Sequence, residues 1–218
     1  MPGIHARDHQ DPTILTVPGL DNSCSAHWQA LWEQQWLNCH RVDMGNWQTP
    51  NSNAWVNRLN LAIRQTAGPI ILVAHSLGCH AVAWWAALER PTTSGPVVGA
   101  LLVAPPEVDS APADPRLNAF APSARGVLPF PSIVVGSRND PYITPDRAYR
   151  LASLWGADHV DAGRIGHINS KSDIGDWAFG KSLLARLLDA VEPIRKGMDD
   201  AAHLPRPGAT DRRADLSQ

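Results

Sequence analysis

Ser76 stands in the sequence context of a catalytic nucleophile. Residues 70–74 are apolar and predict a buried strand, and residues 81–89 predict a helix. A sharp turn between a strand and a helix lifts a serine hydroxyl clear of a sheet, provided that small residues pack beneath it. Here those residues are Ala74 and Gly78, where the usual pattern has glycine twice. The motif predicts a nucleophile; the alternative is an ordinary turn with a capping serine.

An acid and then a histidine follow Ser76 in the chain order that a serine nucleophile requires. Asp140 comes just beyond one predicted strand, and His167 lies in the loop beyond the next. His167 would accept the serine proton, and Asp140 would orient the imidazole. Taken singly, Asp140 could be a turn residue before proline, and His167 an ordinary loop histidine. Asp109, which follows the preceding predicted strand, is the alternative acid.

Two backbone amides are expected to stabilise the oxyanion of the reaction. One donor is the N–H of Leu77, directly after the serine. The other belongs to the loop after the first predicted strand, where Gly19 lets the backbone approach closely and Leu20 supplies the candidate N–H. A plain turn between strand and helix is the alternative interpretation of that loop.

Elements that would position these residues alternate along the chain. Predicted strands cover residues 13–17, 40–44, 70–75, 97–104, 131–136 and 157–161, and predicted helices cover 26–37, 52–66, 77–89, 145–155 and 176–191. The alternation predicts an α/β fold, with a parallel sheet of about six strands and helices on both faces. Right-handed crossovers, with a change of winding direction after the second strand, predict the strand order 2-1-3-4-5-6.

The remaining segments divide the chain into one domain with two extensions. Residues 1–12 are a polar N-terminal extension, 13–191 form the domain, and 192–218 are a polar tail expected to be partly disordered. Residues 105–130 are rich in proline and lack periodicity, which predicts a long loop and suggests a flap over the site.

Several aromatic residues lie close to the predicted site in sequence. Trp28, Trp32 and Trp36 recur every four residues and favour core packing on one helix face. Trp28 and Trp47 are also candidates for the wall of a substrate pocket. His27 and His75, which adjoin the proposed site elements, are interpreted as structural histidines.

Composition excludes several classes of partner. The net charge of −2 gives no electrostatic reason to bind nucleic acid or an anionic membrane, and no apolar run approaches the ~20 residues that span a bilayer. The three cysteines are widely spaced and the first residues lack an apolar signal segment, so free thiols and a cytoplasmic location are expected. Without metal-ligand spacing or a glycine-rich phosphate loop, the chemistry is expected to need no cofactor and no metal.

Short motifs spread over roughly residues 13–190 resemble one known family. They occupy residues 18–23, 27–29, 32–33, 73–79, 102–106, 137–142 and 166–169. In these segments the chain is similar to the YdeN-like serine hydrolases, bacterial relatives of retinoblastoma-binding protein nine. The resemblance implies a single-domain α/β-hydrolase fold without a large lid, and a triad of Ser76, Asp140 and His167. The chain has no Leu-x-Cys-x-Glu motif, so a pocket-protein partner is not expected.

Two functional hypotheses follow from these observations. The first is a serine hydrolase, of the carboxylesterase type, acting on small acyl esters through an acyl-enzyme on Ser76; amides and thioesters are alternative substrates. The second is a catalytically idle α/β-hydrolase fold used as an interaction protein. The ordered set of Ser76, Asp140 and His167 favours the first.

Overall fold

One six-stranded parallel sheet organises the protein. The computed structural model describes residues 11–202 of the 218, and their side chains through residue 191. The strands lie in the order β2-β1-β3-β4-β5-β6, which confirms the predicted topology. Every neighbouring pair is parallel, and the winding direction changes after β2, because β3 pairs with the other edge of β1. The strands are β1 (Thr13–Val17), β2 (Cys39–Arg41), β3 (Ile70–His75), β4 (Val97–Val103), β5 (Ser132–Gly136) and β6 (Asp158–Asp161).

Five α-helices cover the two faces of the sheet. They are α1 (Trp28–Gln35), α2 (Ser52–Gln65), α3 (Leu77–Glu89), α4 (Pro145–Trp155) and α5 (Ala178–Ala202). Alternate residues of the central strands point to opposite faces. One buried cluster therefore joins the strands to α2, α3 and α4, and a second joins them to α1 and α5. Among residues 11–202, none of the helices has both the length and the apolarity needed to cross a membrane.

The predicted tryptophan stripe packs in the core. Trp28 and Trp32 of α1 are 1% and 0% exposed, and the partly buried Trp36 packs against the same cluster. Their burial confirms the prediction that this face of the helix packs against the sheet.

Two predicted element boundaries differ from the structure. Strand β2 ends at Arg41 rather than near residue 44, because the chain turns at Asp43, whose carboxylate accepts a hydrogen bond of 2.8 Å from the Gly45 N–H. Helix α5 continues to Ala202 instead of ending near residue 191, since charged residues without an apolar face can still extend a helix. Residues 1–10 and 203–218, which hold most of the predicted extension and tail, lie outside the described residues.

Candidate active site

Ser76 lies on a sharp turn between β3 and α3. Its backbone angles, φ 53° and ψ −127°, are ones that residues other than glycine rarely adopt. The Ser76 N–H donates to Val103 O of β4 over 2.9 Å. A Cβ on Gly78 would lie 2.2 Å from Val17 O, so only glycine lets α3 begin this close to β1. The Ala74 methyl is fully buried in the core, and alanine thus fits where the motif usually has glycine.

The structure brings Ser76, His167 and Asp140 into one hydrogen-bonded row. Ser76 Oγ lies 2.8 Å from His167 Nε2. The other ring nitrogen, Nδ1, lies 3.0 and 2.9 Å from the two carboxylate oxygens of Asp140. A carboxylate only accepts hydrogen bonds, so Nδ1 carries the proton and Nε2 is left to accept from the serine hydroxyl. This tautomer is the one in which His167 can act as a base toward Ser76.

Hydrogen bonds between two loops fix the position of Asp140 relative to His167. Asn139 Oδ1 accepts from the Gly166 N–H over 2.9 Å, which joins the loop after β5 to the loop after β6. Asp140 Oδ1 also accepts from the Tyr142 N–H over 2.9 Å. Asp140 therefore both shapes its own turn and faces the imidazole, which is the geometry that each of the two interpretations requires.

The loop that carries His167 is also held from the core side. His75 Nε2 donates to His167 O over 2.9 Å, and Trp28 Nε1 donates to Ile168 O over 2.8 Å. Burial, together with the neighbouring His27 and His167 rings, holds the pKa of His75 well below its usual value. His75 is thus a neutral donor, which agrees with the structural role expected for it.

Asp109, the alternative acid, is engaged elsewhere. Its Oδ1 accepts from the Ser123 N–H over 2.6 Å, and its Oδ2 lies 3.7 Å from Arg147 Nη2. It lines a groove of about 550 Å³ between residues 105–130 and α4, to which Ser76 does not contribute. In the structure the carboxylate that faces the His167 ring is that of Asp140.

The candidate oxyanion donors adjoin the nucleophile turn. A Cβ on Gly19 would lie 2.7 Å from Ser76 Cβ and 2.9 Å from Leu77 N, so the loop after β1 packs directly against this turn. The Leu77 N–H begins α3 and has no partner within its helix. Neither this N–H nor that of Leu20 is hydrogen-bonded to another of the described residues. Both amides therefore lack a protein partner among the described residues, and they adjoin the turn at Ser76.

A cleft of about 270 Å³ opens above Ser76. Most of its lining residues have polar side chains, and they come from the ends of β1, β3, β4, β5 and β6 and the loops that follow. The segment 105–130 contributes Asp114, Arg116 and Leu117, which places part of the predicted flap at the site. The other lining residues are Leu20, Asp21, Asn22, Cys24, His27, His75, Ser76, Tyr142, His167, Asn169, Ser170 and Lys171.

Neither tryptophan proposed for the pocket wall lines this cleft. Trp28 lies beneath the His167 loop, and Trp47 packs on the core with its ring 5.7 Å from that of Trp55. Conversely, sequence reasoning missed Tyr142, whose ring centroid lies 4.4 Å from that of His167. Its position two residues after the proposed acid was the one available signal.

Two further lining residues have shifted pKa values. Burial lowers the pKa of His27 to about 3. The neutral ring caps α1, because its Nδ1 accepts from the Gln29 N–H over 3.2 Å. At Cys24, a hydrogen bond to the Ser170 side chain is the main cause of a lowered thiol pKa. Among the described residues, no group of three or more histidine, cysteine or acidic side chains is arranged to hold a metal ion.

Comparison with known proteins identifies the family and agrees with the fold. The serine hydrolase family matches residues 14–186. A YdeN-like hydrolase from Pectobacterium atrosepticum is 28% identical, with a TM-score of 0.73 over 84% of this chain and 93% of the other. The ydeN gene product of Bacillus subtilis is 20% identical, with a TM-score of 0.66 over 82% and 100%. The carboxylesterase CesB from the same organism is 12% identical, with a TM-score of 0.55 over 83% and 84%, and shares the fold.

No curated protein matches the sequence significantly. The family match nevertheless covers most of the chain, and the likeness to the Pectobacterium protein covers nearly all of that protein. With its fold and the arrangement around Ser76, the chain belongs to the serine hydrolase family and is a YdeN-like member of the α/β-hydrolase superfamily.

Proposed function

We propose that the protein is a carboxylesterase-type serine hydrolase of small acyl esters. The observation that carries the proposal is the row of hydrogen bonds from Ser76 Oγ through His167 to Asp140, at 2.8 and 2.9 Å. These distances are within the reach that a nucleophile and its base require. The strained backbone of Ser76 supports the same conclusion, since such strain gathers at functional sites.

The proposed reaction proceeds in two halves. Ser76 Oγ attacks the ester carbonyl carbon while His167 Nε2 takes the hydroxyl proton, and the Leu77 and Leu20 N–H groups stabilise the oxyanion. His167 then gives the proton to the leaving alcohol as the ester C–O bond breaks. Water attacks the acyl-enzyme with the same assistance, which releases the acid and restores Ser76. Throughout, Asp140 keeps Nδ1 protonated and stabilises the imidazolium.

The size and lining of the cleft support small substrates. A volume of about 270 Å³ leaves little room for a long acyl chain, and few lining side chains are apolar. Short acyl groups with polar surroundings therefore fit better than lipid esters. Amides and thioesters remain alternatives to esters, because the same acyl-enzyme chemistry serves all three. The free thiols of Cys24, Cys39 and Cys79 support the proposed cytoplasmic location.

A fluorophosphonate probe and a series of p-nitrophenyl esters test the proposal. The probe should attach to Ser76 near neutral pH, and the acetate should be hydrolysed faster than the dodecanoate. The Ser76→Ala protein should fold, remain unlabelled and lose turnover by about 10⁴-fold or more. Equal labelling of both proteins, or no labelling and no hydrolysis by the wild type, would favour the alternative, an idle interaction protein.

A further inference from the structure

The loop that carries the Leu20 amide has a strained backbone. The next two residues, Asp21 and Asn22, have φ angles of 62° and 64°. Residues other than glycine adopt this region only when their surroundings hold them there, although Asp and Asn tolerate it best. Because Asp21 directly follows Leu20, whatever holds Asp21 helps to fix the direction of the Leu20 N–H.

One guanidinium from the segment after β4 binds Asp21, and both residues line the cleft. Arg116 Nη1 and Nη2 lie 2.9 and 3.1 Å from the two Asp21 carboxylate oxygens. The same group bonds Asp114 through Nη2 over 2.7 Å and Gln48 O through Nη1 over 3.3 Å. Hydrogen bonds to Asp114 and Asp21 raise the pKa of Arg116, and the bond from Arg116 is the main cause of a lowered pKa at Asp114. The planar guanidinium of arginine suits this bidentate contact with the carboxylate, which a lysine cannot reproduce.

Arg116 lies on a short helix that is packed firmly against the core. This is the 3₁₀ helix Pro115–Phe120, in which Leu117 and Phe120 are each 1% exposed. The Phe120 ring packs 5.6 Å from that of Trp55, and Trp84 Nε1 donates to Phe120 O over 3.3 Å. The helix is thus anchored on the core, and its arginine can restrain the loop that contains Asp21.

The far end of the loop has a separate anchor. Arg41 Nη1 donates to Asn22 Oδ1 over 3.2 Å and to Ser23 O over 2.9 Å, and Arg41 pairs with Glu33 at 2.7 Å. At Asp21 the backbone N–H donates to Trp47 O over 3.0 Å. Of the described side chains, Arg116 is the one that binds the Asp21 carboxylate, next to Leu20.

We propose that Arg116 is a positioning residue for the hydrolysis proposed above. Its bidentate contact with Asp21 holds the Leu20 N–H where it can donate to the oxyanion. The same contact joins the 3₁₀ helix to the loop after β1, and this connection limits the length of the acyl group that the cleft can hold. Because the side chains of Arg116 and Asp21 are 37% and 54% exposed, their pairing contributes little to stability. The pairing is expected to affect the position of the Leu20 N–H. The experiment must therefore distinguish a change in kcat from a change in the stability of the fold.

Arg116→Gln should lower kcat on p-nitrophenyl acetate by about 10- to 100-fold, since a displaced oxyanion donor weakens binding of the transition state more than of the substrate. KM should stay within about twofold. Affinity for a short alkyl boronic acid, which forms a tetrahedral adduct on Ser76, should fall with kcat/KM. Arg116→Lys should restore part of the rate. The matched control is Arg125→Gln, because Arg125 is exposed and has no ion-pair partner among the described residues.

Asp21→Asn tests the pair from its other side. The asparagine keeps only one of the two acceptors and loses the charge, so it should reproduce part of the loss seen in Arg116→Gln. The double variant should be no worse than Arg116→Gln alone, because both substitutions act on one shared contact. Both single variants should also raise the rate on p-nitrophenyl octanoate relative to acetate. Melting temperatures should remain near that of the wild type.

Wild-type kcat and chain-length preference in Arg116→Gln, or additive losses in the double variant, would overturn this proposal alone. So would a loss of rate that leaves boronic acid affinity unchanged. A wild-type protein that neither reacts with fluorophosphonate nor hydrolyses the esters would overturn the proposed function, and this proposal with it.

Discussion

At the scale of single residues, the proposed chemistry depends on where one proton resides. The Asp140 side chain is fully buried, yet its carboxylate is compensated by His167 Nδ1 and by the Tyr142 N–H. A buried carboxylate without such partners would be strongly destabilising. The contact with Nδ1 fixes the imidazole tautomer, so that the nitrogen facing Ser76 is free to accept, and the Tyr142 N–H holds the carboxylate in place.

Replacing Asp140 by asparagine should separate its two roles. Oδ1 of the asparagine can still accept from the Tyr142 N–H, whereas the charge is lost and an amide N–H can face Nδ1. The wrong tautomer is then favoured, and we expect kcat on a short ester to fall by up to ~10⁴-fold with KM nearly unchanged. Steady-state kinetics measure both parameters.

The matched control for this substitution is Asp109→Asn. It keeps an acceptor for the Ser123 N–H and should leave kcat close to that of the wild type. A large loss at Asp109 with a wild-type rate at Asp140 would contradict the assignment of the acid.

At the scale of elements, the site exists because β1 and β3 are neighbours whose ends coincide. Val17 pairs with Ala74, which brings the Gly19 loop and the turn at Ser76 to the same edge of the sheet. Helix α3 begins immediately after Ser76, so its unpaired first N–H and the positive end of its dipole lie where an oxyanion would form. Close approach of α3 to β1 is therefore part of the proposed catalytic geometry.

Gly78→Ala should disturb this approach. The added Cβ would lie 2.2 Å from Val17 O, which is backbone and can move only with the strand. We expect the free energy of unfolding to fall by about 1–3 kcal/mol, as for overpacked cores. Because α3 must shift, kcat should fall as well. Urea denaturation and ester kinetics give the two quantities.

Gly99→Ala is the matched control in the sheet. Its added Cβ would meet Ile71 Cδ1 at 3.0 Å and Leu187 Cδ1 at 3.3 Å, and these side-chain ends can move aside. The loss of stability should be smaller, and kcat should not change. Equal losses in the two variants, with kcat unchanged in Gly78→Ala, would contradict the role given to the approach of α3.

At the scale of the whole molecule, burial keeps several histidines neutral. His80 is fully buried and its Nε2 donates to Pro106 O over 2.9 Å. Burial lowers its pKa to about 4, and it lowers the pKa values of His27 and His75 as well. The folded protein therefore resists protonation at positions where the unfolded chain accepts protons readily.

Stability should consequently fall as the pH decreases from about 6.5 to about 4. An unfolded histidine binds a proton near pH 6.5, whereas folded His80 remains neutral down to about pH 4. The unfolded state thus binds more protons in this window, and His80 alone should lower the free energy of unfolding by about 2 kcal/mol at pH 5 relative to pH 8. Urea denaturation at several pH values measures this dependence.

His80→Gln keeps a donor for Pro106 O and should make the pH dependence shallower by about that amount. His40→Gln is the control, because solvent reaches the exposed His40 ring in both states. If the free energy of unfolding depended on pH identically in the wild type and in His80→Gln, the buried His80 would not be a source of this dependence.

The sequence by itself determined the strand order, the nucleophile motif and the order of Ser76, Asp140 and His167. These features follow from local patterns, since apolar periodicity defines the strands and parallel strands place their carboxyl ends at one edge. Tertiary structure alone decided that Asp140 rather than Asp109 faces His167, that Trp28 and Trp47 lie outside the cleft, and that Arg116 reaches Asp21. Such contacts join residues far apart in the chain, and their geometry depends on packing and side-chain direction, which no local pattern specifies.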